Sequence, residues 1–119
     1  MVLADTSVWV EHFRRGEPRL RALLHDGEVV CHPFVIGELA CGYLRPREQV
    51  LSLLKTLPSA ALVESDEILF FIEERKLAGL GLGLVDVHLL ASCLISRTKL
   101  WTLDKRLKGI AARFGIVDG

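Results

Sequence analysis

Short, nearly uninterrupted apolar runs alternate along this chain with longer stretches in which apolar residues recur every three or four positions. Val2–Ala4, Glu28–Cys31, Ala60–Val63 and Leu100–Leu103 have strand length and lack the polar–apolar alternation of a strand with one wet face. Between them the helical period takes over. Thr6-Ser7 are good N-cap types ahead of Val8-Trp9-Val10, and Gly16 closes that helix. Glu17-Pro18 opens a second helix, with Leu20, Leu23 and Leu24 on one face and Gly27 at its end. His32-Pro33 breaks the chain before a helix over Phe34–Leu44. Pro46 opens another, with Val50, Leu51, Leu53, Leu54 and Leu57 along one side, and Pro58 stops it. Ser65 or Asp66 caps a helix through Lys76, and Gly79, Gly81 and Gly83 mark a loop. Helices over Val85–Ser96 and Asp104–Phe114 follow, with Ile116-Val117 as a candidate edge strand.

Apolar strands alternating with amphipathic helices predict a parallel sheet covered on both faces. The expected fold is a three-layer α/β/α sandwich, one domain over residues 1–119, a length that suits a single core. In such sheets a ligand site lies beyond the carboxyl ends of the strands.

Three carboxylates interrupt this pattern. Asp5 is the only charged residue from Met1 to Val10, Glu38 the only one from Pro33 to Leu44, and Asp86 the only one from Leu77 to Ser96. One turn away from Glu38 lie Phe34, Val35, Cys41 and Gly42; around Asp86 lie Leu82, Gly83, Leu89 and Leu90. A lone carboxylate in such surroundings costs several kcal/mol unless it is paired, hydrogen-bonded or bound to a metal. Asp5, Asp86 and Asp104 also stand where helix N-caps belong, a structural role that accounts for each singly. Glu38, in mid-helix with no basic residue three or four positions away, has no such account. If Asp5, Glu38, Asp86 and Asp104 meet at the sheet edge, a divalent cation is their natural counter-charge. All-oxygen ligation favours Mg²⁺ or Mn²⁺ over zinc, and Mg²⁺ favours phosphate esters as substrates.

The segments around these acids are Leu3-Ala4-Asp5-Thr6-Ser7-Val8-Trp9, Pro33-Phe34-Val35-Ile36-Gly37-Glu38-Leu39, Leu84 to Ser92 around Asp86, and Leu100-Trp101-Thr102-Leu103-Asp104. Their order and spacing resemble those of PIN-domain ribonucleases, in particular the VapC toxins of bacterial toxin–antitoxin pairs. The resemblance spans essentially the whole chain. It implies a Mg²⁺- or Mn²⁺-dependent endoribonuclease, cutting RNA with a metal-activated water, held in check by a cognate antitoxin and assembled as a homodimer. Carried over by position, Asp5, Glu38, Asp86 and Asp104 match the acidic quartet that binds metal and carries catalysis. Thr6 matches the position after the first Asp, where a small hydroxyl supports that carboxylate.

Charge sharpens the picture. The chain carries 15 basic and 15 acidic residues, which argues against a binder that holds nucleic acid by bulk attraction. Setting the quartet aside leaves 15 basic against 11 acidic residues. The basic ones crowd from Arg97 to Arg113, and Lys105, Arg106 and Lys108 beside Asp104 are candidate contacts to the RNA backbone; a solvated helix face is the alternative. Arg14-Arg15 are candidates for the same surface or for a partner's groups. Cys31, Cys41 and Cys93 have no disulfide or zinc spacing and read as free thiols in a reducing, cytoplasmic setting. The start of the chain lacks a signal-peptide pattern, and Leu77–Ile95, broken by Asp86 and His88, makes a poor membrane span. Trp9 and Trp101 read as core or interface, with base stacking as the alternative, and His88 as structural or substrate-facing.

Three rivals share parts of this pattern. A Mg²⁺-binding phosphoacceptor signalling domain needs adjacent acids after the first strand, whereas Asp5 precedes Thr6-Ser7. A haloacid-dehalogenase-type phosphatase needs Asp-x-Asp, and Ser7 stands at the second place. A non-catalytic interaction module on the same fold has no use for isolated acids at Asp5, Glu38 and Asp86.

Overall fold

The computed structural model describes residues 1–118 and places β1 at Val2–Ala4, α1 at Thr6–Arg15, α2 at Pro18–His25, β2 at Val29–Val30 and α3 at Pro33–Cys41. Then come α4 at Arg47–Thr56, α5 at Ser65–Arg75, α6 at Leu84–Ser96, β3 at Lys99–Trp101 and α7 at Lys105–Arg113. The strands form one parallel sheet in the order β2-β1-β3, with Leu3 opposite Val30 on one side and Leu100 on the other. All of β1 is buried, as its unbroken apolar run requires.

Helices cover this sheet as expected of an α/β sandwich. Helix α1 packs on β1, α2 on β2, and α6 and α7 on β3, while α3 bridges α1 and α4 and α5 packs on α6. Leu3, Trp9, Leu20, Leu54, Ile68, Leu89, Leu90, Leu100 and Leu107 are all fully buried in the core. Trp101 is buried as well, with the Arg19 guanidinium 4.5 Å above its ring. Cys31 and Cys93 lie in the core, where burial pushes both thiols up to about 11 and keeps them protonated. Cys41 is exposed.

Two expected strands shrink to single bridges. In place of a strand over Ala60–Val63, only Ser59 pairs with Cys31. Beyond it the backbone of Ala61 is satisfied by a helix: Ser92 Oγ donates to its carbonyl at 2.5 Å, and its N–H donates to Ser96 Oγ at 3.2 Å. Two serines on α6 thus take the place of a neighbouring strand. At the opposite edge, Val117 bridges to Leu100, and Leu100 N–H donates to Ile116 O.

The caps also differ in part. Asp5 and Asp104 are N-caps of α1 and α7. Asp86 is not a cap; it is the third residue of α6, and it reaches back to accept from the N–H of Gly83, the residue at the cap. Glu64, rather than Ser65 or Asp66, occupies the cap position of α5, without a side-chain bond. Helix α3 is capped by His32, whose Nδ1 accepts from Phe34 N–H at 2.9 Å.

Candidate active site

Two parallel strands end side by side and deliver two of the acids to one edge. Ala4 pairs with Trp101, and Asp5 N–H donates to Trp101 O at 3.0 Å. The chain therefore leaves the sheet at Asp5 and at Thr102-Leu103-Asp104 in adjacent positions. Asp5 is 6% exposed, and four donors hold its carboxylate. Oδ1 accepts from the N–H groups of Ser7 and Val8 and from Ser7 Oγ at 2.5 Å. Oδ2 accepts from Thr102 Oγ1 at 2.6 Å.

The two hydroxyls also tie the neighbouring loop. Ser7 Oγ accepts from Leu103 N–H, and Thr102 Oγ1 accepts from Asp104 N–H, each at 3.0 Å. Asp104 uses only Oδ1 as a cap, accepting from Arg106 and Leu107 N–H.

Thr6 does not serve Asp5. It is the first residue of α1, and its hydroxyl donates to Glu38 Oε1 on α3 at 2.6 Å. The supports of Asp5 are Ser7 and Thr102, which sequence reasoning passed over. The signals were present in Asp5-Thr6-Ser7 and Thr102-Leu103-Asp104, two acids each with a hydroxyl residue two positions away. Glu38 is exposed rather than buried, because the face of α3 around it is open: Phe34, Gly37, Cys41 and Gly42 are exposed too. Its apolar neighbours form surface, not core.

Asp86 completes the constellation from α6. Burial pushes its carboxyl above the usual carboxylate range, the bond from Gly83 N–H draws it back, and the charges of Asp104, Asp5 and Glu38 push it up further. Asp5, Glu38 and Asp104 thus each lie within electrostatic reach of Asp86. None of the four takes part in an ion pair among the described residues. Glu38 Oε2, Asp86 Oδ1 and Asp104 Oδ2 accept no hydrogen bond there either. Uncompensated negative charge with free hard oxygen donors suits a divalent cation that keeps part of its water shell. It is an open edge rather than a cage, since among the described residues no three metal-ligating side chains close on a single point.

Lys105, Arg106 and Lys108 are exposed on α7, directly after Asp104. Arg106 lies against the glycine loop, where Gly81 has φ of +80° and any Cβ would collide with the guanidinium. Other bases are engaged elsewhere: Arg113 donates to Arg75 O, Lys99 to Gly115 O, and Arg19 pairs with Asp118. On the other side of Glu38, a cavity of about 400 Å³ runs between α1 and the end of α3, past Thr6, Val10, Phe13, Arg14 and Tyr43.

The family described as PIN domain matches residues 2–113 of this chain. Ribonuclease VapC32 of Mycobacterium tuberculosis, in strains CDC 1551 / Oshkosh and ATCC 25618 / H37Rv alike, is 49% identical over 117 residues. That alignment covers 98% of this chain and 94% of the relative.

Proposed function

Because the chain belongs to the PIN-domain family, with VapC-type ribonucleases as its relatives, we propose that it is a metal-dependent endoribonuclease, the toxin of a toxin–antitoxin pair. The observation that supports this reading is that Asp5, Glu38 and Asp104 all lie within electrostatic reach of Asp86, and none of the four has an ion-pair partner among the described residues. The residues that would hold a Mg²⁺ or Mn²⁺ ion at this open edge are Glu38, Asp86 and Asp104, whose free oxygens remain available, together with Asp5, with water filling the rest of the ion's shell. The bound cation supplies a water of lowered pKa and a Lewis acid for the scissile phosphate.

The chain's own residues do the rest. Ser7 and Thr102 clamp Asp5 so that its lone pairs are aimed before anything binds, and Thr6 does the same for Glu38. Lys105, Arg106 and Lys108 draw in and position the RNA backbone by charge. No side chain needs to act as nucleophile. Purified chain incubated with total or transfer RNA should cleave it with Mg²⁺ and not with chelator, nor as Asp5→Asn. Cleavage that survives either change would refute the mechanism.

Three partners and a place follow. The substrate is RNA. An antitoxin segment suits the cavity beside Glu38, whose walls Val10, Phe13 and Tyr43 are exposed. A second copy suits the α5–α6 face, where Phe70 and Ile95 line an open cleft of about 480 Å³ with Leu69 exposed close by. No helix among the described residues is long and apolar enough to cross a membrane, and the cytoplasm is where such a toxin meets its RNA. Residues 1–119 act as one domain.

A further inference from the structure

A separate concavity adjoins the acidic edge without containing any of its four carboxylates. Its volume is about 510 Å³, and Phe34, Val63, Glu64, Asp66, Leu84 and His88 line it, a size that suits a small-molecule group. Its aromatic walls come from the two helices that carry Glu38 and Asp86. Phe34 lies one turn before Glu38 on α3, and His88 two residues after Asp86 on α6. The two rings meet edge to face with 4.6 Å between centroids, and Phe34 keeps 40% of its surface open.

Behind the wall lies an unsatisfied imidazole nitrogen, itself sealed from solvent. His88 is 7% exposed, yet its Nδ1 has no hydrogen-bond partner among the described residues. The rim is acidic: Glu64 and Asp66 are exposed, and neither enters an ion pair among the described residues. Two unpaired carboxylates repel a phosphate. With an open aromatic face beside them, they match a flat ring that carries N–H donors along its edge.

We infer that this cavity receives a nucleobase of the RNA strand, stacked on Phe34, with its N–H edge turned to Glu64 and Asp66. Guanine fits that description, because its N1–H and N2–H₂ point side by side at one carboxylate. Single-stranded RNA is read in this manner, by splayed bases stacked on aromatic side chains and hydrogen-bonded along their Watson–Crick edge. Stacking alone tolerates any base, so the carboxylates supply the selectivity. The inference rests on the ribonuclease reading and adds to it which neighbour of the cut phosphate is recognised. Phe34, which walls the cavity, stands one helical turn from Glu38, so the base belongs to a nucleotide flanking that phosphate.

The test reads binding apart from cleavage. Short fluorescent single-stranded RNAs, carrying guanine, inosine or an abasic residue at each position in turn, are titrated with the chain in chelator and followed by anisotropy. Inosine lacks the 2-amino group. The expected result is one position at which guanine binds about tenfold more tightly than inosine and the abasic strand is weakest. Phe34→Leu should weaken the guanine strand about tenfold and make removal of the base nearly free of further cost, while Phe34→Tyr restores binding. Glu64→Gln combined with Asp66→Asn should erase the guanine–inosine difference. Binding indifferent to the base at every position, or a Phe34→Leu variant that behaves as the parent, overturns the assignment and leaves the cavity to a protein side chain. Cleavage with Mg²⁺ is followed on the same strands. Base-selective binding without cleavage supports the cavity and fails the ribonuclease reading, whereas cleavage with base-blind binding fails the cavity alone.

Discussion

Thr102 donates its hydroxyl to Asp5 Oδ2 at 2.6 Å, joining residues 97 positions apart at the ends of two neighbouring strands. Thr102 Oγ1 in turn accepts from Asp104 N–H, so one side chain fixes both a buried carboxylate and the start of α7. Thr102→Val keeps the shape and removes the bridge. It leaves Asp5 Oδ2 and Asp104 N–H without their partner, which should cost about 1–3 kcal/mol in thermal or urea unfolding. Metal-dependent RNA cleavage should fall by roughly tenfold to a hundredfold, the usual effect of removing an outer partner of a metal ligand. An unfolding midpoint and a cleavage rate both equal to the parent's would show that the bridge positions nothing.

Four acids without a cation should respond to one. Adding Mg²⁺ or Mn²⁺ should raise the unfolding free energy by about 2.7 kcal/mol at a hundred times the dissociation constant. Asp86→Asn should abolish most of that rise. In chelator at neutral pH the same variant should be at least as stable as the parent, because Asp86 is the carboxyl that burial and its three neighbours penalise when charged. A calorimetric scan that shows the variant less stable without metal would contradict this account of its surroundings.

The basic start of α7 gives a salt-dependent expectation. With Lys105→Glu and Arg106→Glu together, RNA affinity should drop. The slope of its logarithm against the logarithm of salt should shrink by roughly 0.7 for each phosphate of a single strand that is no longer neutralised. Cleavage of a dinucleotide, too short to span the patch, should change little. An unchanged salt slope would remove these residues from the RNA path.

Acid should weaken the fold through His32. Burial, with a smaller push from His88, holds its imidazole down at about 4 from an ordinary 6.5. The unfolded chain takes up that proton first, so stability falls as pH drops from about 6.5 to about 4 and is fully present above that window. The loss at its lower end should approach about 3 kcal/mol. Nδ1 must also stay unprotonated to accept from Phe34 N–H and cap α3. His32→Asn keeps an acceptor without the titration and should flatten this part of the curve of midpoint against pH. A parallel curve would assign the loss to another group.

Asp5, Glu38 and Asp86 stand out in the sequence because each is the only charged residue of its segment, and Asp5 and Asp104 because parallel strands send their carboxyl ends to one edge. Their supports were harder to assign. Thr6 adjoins Asp5 in sequence, but as the first residue of α1 its hydroxyl turns to α3 and reaches Glu38, while Ser7 curls back on Asp5. Glu38 read as buried because its neighbours are apolar; sequence alone does not tell which apolar face of α3 is covered. Ala60–Val63 has the composition of a strand, and only the placement of Ser92 and Ser96 against Ala61 explains why it does not pair as one.

Those two serines have a wider effect. Beyond β2 and beyond β3 the sheet ends in single bridges, at Ser59 and at Val117, and Ala61 spends both its backbone groups on α6. A parallel sheet of three short strands could have offered its margins as templates on which foreign strands add. Among the described residues neither margin presents a row of free backbone groups long enough for that. The protein is thereby spared the stickiest kind of contact, and whatever joins it is steered to the faces of its helices, where side chains rather than backbone decide who fits.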